Sequence, residues 1–284
     1  MDQRASGLYR FAVLVAVCML ALIASGSYVT ASLETAAPAD QAAAATPAPA
    51  GEQTGLRVHL YAAAIVGLLV LGLAVWLSIA DRTGLRPLAW IAVIAMAIDA
   101  YLGRQADSGT LAPSLAAAHA SIAPVLFASL VLIAILTSPS WKSGPELTDD
   151  RGWPALRYLA VAMPPLVLVQ IVLGALYRHR LTGVLLHMGG AMLVAITVLV
   201  VSMVVLQQYP THRPLRRAAT ALVSILLVQV SFGIAAFTLQ LLDQEGTAAF
   251  AISAASHVVV GSLTLAASLA MAIEIQRSIL PAKS

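Results

Sequence analysis

QIVLGALYRHRLTGVLLHMGGA, residues 170–191, is the stretch from which the architecture can be read. Two hydrocarbon-like segments flank a short charged turn, Arg178 to Arg180. Gln170 and Gly174 stand four residues apart before that turn, so they share one helix face, and His187 lies near the start of the segment that follows. A helix ending in Gln and Gly, a polar turn, and a helix with an early His make one unit. The rest of the chain repeats it.

The 284 residues are 60% hydrophobic and 10% charged, with a mean hydropathy of +0.89. That leaves too few polar groups to coat a soluble globule and marks an integral membrane protein. The net charge of +3 is spread in short basic clusters between apolar runs. This pattern orients a chain in a bilayer and offers no face for nucleic acid. The single cysteine, Cys18, excludes an internal disulfide and CxxC chemistry, and reads as a small packing residue. The run that contains it resembles a signal peptide in length but keeps its place in the repeat, so it is read as a retained span.

At about 20 apolar residues per span, the sequence predicts an all-α membrane protein with eight transmembrane helices, at 11–31, 58–80, 88–103, 114–137, 157–177, 183–206, 218–241 and 252–275. Arg4, Arg10, Arg82, Arg86, Lys142, Arg151, Arg157, Arg213, Arg216, Arg217, Arg277 and Lys283 fall in alternate connections, which places both termini in the cytoplasm. A bacterial cytoplasmic membrane is the expected location. The Pro-containing segment 138–156 is expected to be a cytoplasmic linker between two pseudo-repeated four-helix bundles, 1–137 and 157–284. The Ala- and Pro-rich segment 32–55 is expected to be a mobile outer loop. His212, in YPTHRPLRR, is expected to be solvated, as is His179 in the outer turn.

The repeat is loose in sequence and regular in layout. Odd spans carry a glycine near their outer end, at Gly26, Gly103, Gly174 and Gly233, and even spans carry a histidine near their outer start, at His59, His119, His187 and His257. Gln170 precedes Gly174 by four residues, Gln229 precedes Gly233 likewise, and Asp99 holds that place before Gly103.

A histidine inside a membrane helix is costly and marks function by default, although a lone one can serve only to bond a neighbouring helix. Four at one depth point to metal ligation. Zinc would want further Cys, His or carboxylate ligands, whereas a planar macrocycle needs one histidine from each of two facing helices. Small residues around the histidines, such as Ala62, Ala63, Gly189, Gly190 and Gly261, leave room for a flat ring, or equally for ordinary close helix packing. Arg57, Arg104, Arg178 and Arg180 lie on the outer side against the charge rule. They suit the propionates of a haem, or the phosphates of membrane lipid.

With GSYVTAS at 26–32, QIVLGALYRH at 170–179 and a histidine on every even span, the chain resembles the haem A synthase family over essentially its whole length. The resemblance implies that His187 and His257 ligate a haem b cofactor in the C-terminal half, with Arg178 and Arg180 beside it. His59 and His119, with Arg57 and Arg104, would hold a second haem as substrate in the N-terminal half. The implied reaction is oxidation of the C8 methyl of haem O to the formyl group of haem A, an oxidoreductase activity that serves cytochrome oxidase assembly. A haem O-producing enzyme or a respiratory complex are the implied partners, alongside lipid and a possible second copy of the chain.

The sequence departs from the family pattern at Leu56, where a glutamate commonly stands, at Leu60 and Met188, where arginines commonly follow the histidines, and in lacking an outer cysteine pair. Glu52, seven residues before His59, is the candidate catalytic substitute for that glutamate. Two rival readings are a non-catalytic dihaem b-type cytochrome that kept the ligands and a small-molecule transporter. The transporter predicts broken helices and mid-membrane charges; Asp99 is the one candidate for such a charge.

Overall fold

The computed structural model describes residues 3–36, 50–80, 84–107, 112–152 and 156–281. The helices among them are α1 Gln3–Ala36, α2 Ala50–Ala80, α3 Arg86–Asp107, α4 Pro113–Thr137, the one-turn α5 Pro139–Lys142, α6 Leu156–Arg178, α7 Val184–Gln208, α8 Arg213–Leu241 and α9 Ala248–Ser278. All except α5 are long and apolar enough to cross a membrane. Hydrocarbon offers no water to backbone groups, so each spanning segment must close its own hydrogen bonds, and helices do so. Hydroxyls within the spans follow the same logic by turning back on their own helix: Thr30 donates to Gly26 O, Ser121 to Ala117 O and Thr264 to Val260 O.

The eight expected spans are present, and several helices run past the apolar stretch that announced them. α1 continues to Ala36 and α2 begins at Ala50. The outer segment 32–55, expected as a loop, is therefore helical at both its ends, as continuations of the two spanning helices; residues 37–49 lie outside the described residues. α3, expected at 88–103, covers Arg86–Asp107.

Helices α1 to α4 pack each against the next, and α4 closes back on α1; α6 to α9 form a second ring closed by α6 and α9. The rings meet where α9 lies against α1 and α4, and α4 against α6. α9 buries mostly small residues, including Ala251, Ala255, Gly261, Ser262, Ala266, Ser268 and Ala272. Small side chains let four neighbours approach its backbone. Bulkier side chains such as Leu73, Leu77, Leu130, Ile133, Met163 and Met271 fill the spaces between helices, while Leu68, Ile79, Leu185 and Ile234 face outward. α1 and α2 run antiparallel, since Gly7 meets Trp76 and Gly26 meets His59.

At the end of the bundle opposite the histidines, the 138–152 linker is stitched to the last helix. Thr148 N donates to Ser278 O (2.8 Å) and Leu280 N to Thr148 O (2.9 Å). Arg157 donates to the carbonyls of Gln276 and Ile279, and the Arg277 guanidinium lies 4.6 Å above the Trp141 ring. His212, expected to be solvated, is instead 4% exposed. Its Nδ1 accepts from Leu215 N (3.3 Å) to cap α8, and its Nε2–H donates to Glu146 O (2.8 Å). Both ring nitrogens are satisfied by the protein, which is why this histidine can leave water.

Candidate functional site

The regular layout of glycines and histidines becomes a set of four contacts. Each even-helix imidazole rests its Cε1 edge on the glycine of the preceding odd helix. A Cβ added at Gly26 would lie 2.7 Å from His59 Cε1, one at Gly103 3.0 Å from His119 Cε1, one at Gly174 2.9 Å from His187 Cε1, and one at Gly233 2.8 Å from His257 Cε1. No other residue lets an imidazole lie this close to the neighbouring backbone. The four glycines are cradles for the four rings.

The Nδ1 atoms are held from the same odd helices. His119 Nδ1–H donates to Asp99 Oδ1 (2.8 Å), and His257 Nδ1–H donates to the carbonyl of Gln229 (3.0 Å). Ser25 spends its one proton on Leu22 O (2.9 Å), so its Oγ accepts from His59 Nδ1–H (2.9 Å). In these three rings the proton sits on Nδ1 and Nε2 is the unprotonated nitrogen, the one that can ligate; that of His257 accepts from Gln229 Nε2 (3.4 Å). Fixing Nδ1 in this way is how a protein orients a metal-binding imidazole.

His187 is gripped by Gln170, whose Nε2 lies 2.9 Å from both His187 Nδ1 and His187 O. Gln170 Oε1 is buried and makes no hydrogen bond, and the same is true of Gln229 Oε1. Because Gln170 Nε2–H donates to the His187 carbonyl, ligation through His187 Nε2 requires this amide to turn over so that Oε1 accepts from Nδ1–H, which gives up the bond to His187 O. The glutamines are in turn seated on glycines of the even helices. A Cβ on Gly190 would collide with Gln170 Oε1, and one on Gly261 would lie 3.2 Å from Gln229 Nε2. In the C-terminal half the clasp is thus reciprocal, His on Gly and Gln on Gly.

Two of the rings also meet each other. The centroids of His187 and His257 are 6.1 Å apart with their planes at 82°. Two imidazoles bound to opposite sides of one metal ion, at bonds of roughly 2.0–2.1 Å, have centroids about 6 Å apart. Tyr177 stacks on His187 at 6.3 Å and 11°, and its hydroxyl donates to Gln240 Oε1 (2.6 Å), tying α6 to α8 beside the pair. In the other half, His59 lies within electrostatic reach of His119 and Asp99. Among the described residues no three His, Cys, Asp or Glu side chains converge as a ligand set. Two axial imidazoles suffice for a haem, whose ring supplies the other donors. The cradles, the orphaned glutamine oxygens and the 6.1 Å separation fit that group.

A family model described as cytochrome oxidase assembly protein matches residues 57–193, a stretch that holds His59, His119 and His187. Over these residues, just under half of the chain, the sequence is similar to that family. A protein named heme A synthase from Exiguobacterium sibiricum is 32% identical over 124 residues, which cover 43% of this chain and 40% of that protein. The chain therefore matches well under half the length of this relative. With eight helices long and apolar enough to cross a membrane among its described residues, the chain is an integral membrane protein that resembles this family over the matched residues.

The remaining sequence-derived residues lie at the histidine end of the bundle. Arg57 and Arg104 are exposed, within two residues of His59 and one of Gly103, and Arg180 is exposed in a left-handed turn conformation (φ 58°). Arg178 is half-buried at the end of α6. All four arginines lie at the histidine end of the bundle. Glu52 belongs to the helical backbone of α2, but its side chain lies outside the described residues. Leu60 and Met188 are 44% and 46% exposed. Sequence reasoning missed the hydrogen-bond partners of the rings. Asp99 and the two glutamines could have been found from their shared place four residues before a glycine, whereas Ser25 obeys no such spacing.

Proposed function

We propose that the chain binds two haems, each between two histidines, and oxidises the C8 methyl of haem O to the formyl group of haem A. His187 and His257 hold a resident haem b, and His59 and His119 hold the substrate haem. The observation that carries this reading is the 6.1 Å, glycine-cradled pairing of His187 with His257, in a chain whose N-terminal half repeats the His–Gly contact twice. A bound haem b supplies redox-active iron. The protein's part is to fix four imidazoles by their Nδ1 atoms, to exclude bulk water by packing eight apolar helices, and to pair the propionates with Arg57, Arg104, Arg178 and Arg180.

Conversion of the methyl to a formyl group takes its oxygen from water and gives up protons together with electrons, which pass to an acceptor outside the chain, and Glu52 is the group that accepts the protons. It stands seven residues before His59 on a helix that runs unbroken from Ala50, which puts both residues on one helix face. The histidine end faces outward and both termini face the cytoplasm. Co-expression with a source of haem O, followed by chromatography of extracted haems, tests the reaction. Haem A, or its hydroxylated precursor, is the expected product. Haem O recovered unchanged from cells that contain folded, haem-loaded protein would refute the activity.

A further inference from the structure

The four imidazoles are oriented alike but not by groups of equal charge. His59 leans on the Ser25 hydroxyl, His187 on the Gln170 amide and His257 on the Gln229 carbonyl, all neutral. His119 alone among them is shown with a carboxylate, Asp99 Oδ1 at 2.8 Å. Asp99 is 5% exposed, in the outer half of a helix that crosses the membrane. An acidic group at such depth is expensive, and where one is kept it serves a function. Its place four residues before Gly103 is the place Gln170 and Gln229 occupy before Gly174 and Gly233, where a neutral amide gives orientation without the cost. Orientation therefore does not account for the charge.

We propose that Asp99 is a positioning residue that makes His119 the most strongly donating of the four imidazoles, so that the N-terminal site holds its iron further toward the ferric state than the C-terminal site does. A carboxylate on Nδ1–H draws the proton toward itself and raises the basicity of Nε2. The added negative charge lies in a low-dielectric interior, where its influence on a nearby iron is large. Asp99 is also within electrostatic reach of His59, so both axial imidazoles of this site feel it. It bonds the ring edge away from Nε2, and acts through His119 rather than on substrate. The two sites are thereby divided: a neutral clasp of Gln and Gly suits a resident electron-transfer haem, and a charged one suits the haem that is itself oxidised.

This inference rests on the reading that His119 ligates haem iron, and the test separates the two. Purified full-length protein, saturated with added haem b, is poised at a series of potentials, and the two haems are followed by optical and electron paramagnetic resonance spectra. His119→Ala should lose the N-terminal low-spin signal; if both low-spin haems survive, the ligation reading fails whatever Asp99 does. Asp99→Asn keeps an acceptor for Nδ1–H and removes the charge. At fixed poise its N-terminal haem should show a ferrous-to-ferric ratio raised about tenfold, equivalent to about 59 mV for one electron, with the C-terminal haem unmoved as the control for folding. An unchanged ratio overturns the proposal. If Asp99→Asn binds no N-terminal haem, Asp99→Glu decides: a restored haem with the wild-type ratio supports the carboxylate, and loss in both variants shows a merely structural role and overturns it.

Discussion

His59 lies so close to Gly26 that a single added methyl on the glycine would stand 2.7 Å from its Cε1 atom. The ring has nowhere to retreat, because Ser25 on the same helix holds its Nδ1. Gly26→Ala should therefore displace His59 and abolish haem binding in the N-terminal half while leaving the C-terminal haem spectrum intact, and Gly233→Ala should do the reverse. Gly67→Ala meets no atom within 4 Å and should change neither. Haem content per protein and the optical spectra of the purified variants check all three.

Gln170 and Gly190 are coupled in the same way. Gly190→Ala should collide with Gln170 Oε1 and destabilise the C-terminal bundle, by roughly 1–3 kcal/mol for an overpacked site. Gln170→Ala removes the nearest obstacle along with the hydrogen bond to His187, leaving Leu173 Cδ1 at 3.1 Å. The double variant should then be more stable than the sum of the two single losses, an interaction of about 0.5–3 kcal/mol in a thermal-denaturation cycle. Strict additivity would show that the two residues do not touch.

The spans and their four histidines were legible because membrane solvation writes itself into composition: a spanning helix must be apolar for about 20 residues, and a histidine within one stands out. The glycines were legible as a spacing. What they do became visible only when antiparallel helices brought Gly26 against His59 and Gly233 against His257. His212 shows the opposite failure. A polar, basic loop suggested solvent, yet the Pro at the start of α8 that makes the loop look irregular is also a helix-start signal, and the imidazole caps that helix. The helical ends of segment 32–55, SLETA and AGEQTG, were hidden because they carry too little apolar bulk to announce a helix.

Tyr209 extends this end of the molecule into a pH prediction. Its hydroxyl donates to Asp149 O (3.4 Å) and accepts from Arg151 N (3.4 Å), and burial pushes its pKa above the usual tyrosine value. The folded state thus favours the neutral phenol. Its contribution is complete below the unfolded value of about 10 and is lost as pH rises through the higher folded value. Protease sensitivity of the 138–152 linker should increase in that alkaline window in the wild type, and Tyr209→Phe should flatten the dependence. His212→Ala should loosen the same region at all pH values, by about 0.5–2 kcal/mol for a lost N-cap, without changing the haem spectra.

The proposed orientation follows from Arg and Lys in alternate connections. Reporter tags at residue 284 and within 143–147 should be inaccessible from outside intact cells. A tag between Asp243 and Gly246, at the histidine end, should be accessible. Labelling of the C-terminus from outside would reverse the bundle and place the histidines toward the cytoplasm.

The central claim is that His187 and His257, 6.1 Å apart and cradled on Gly174 and Gly233, are the two axial ligands of one haem iron. The most direct measurement is the electron paramagnetic resonance and optical spectrum of purified wild type beside His187→Ala and His257→Ala. The account predicts a six-coordinate low-spin haem in the wild type that is lost, or converted to a high-spin form, in each single variant. A low-spin spectrum that persists unaltered in both would contradict it.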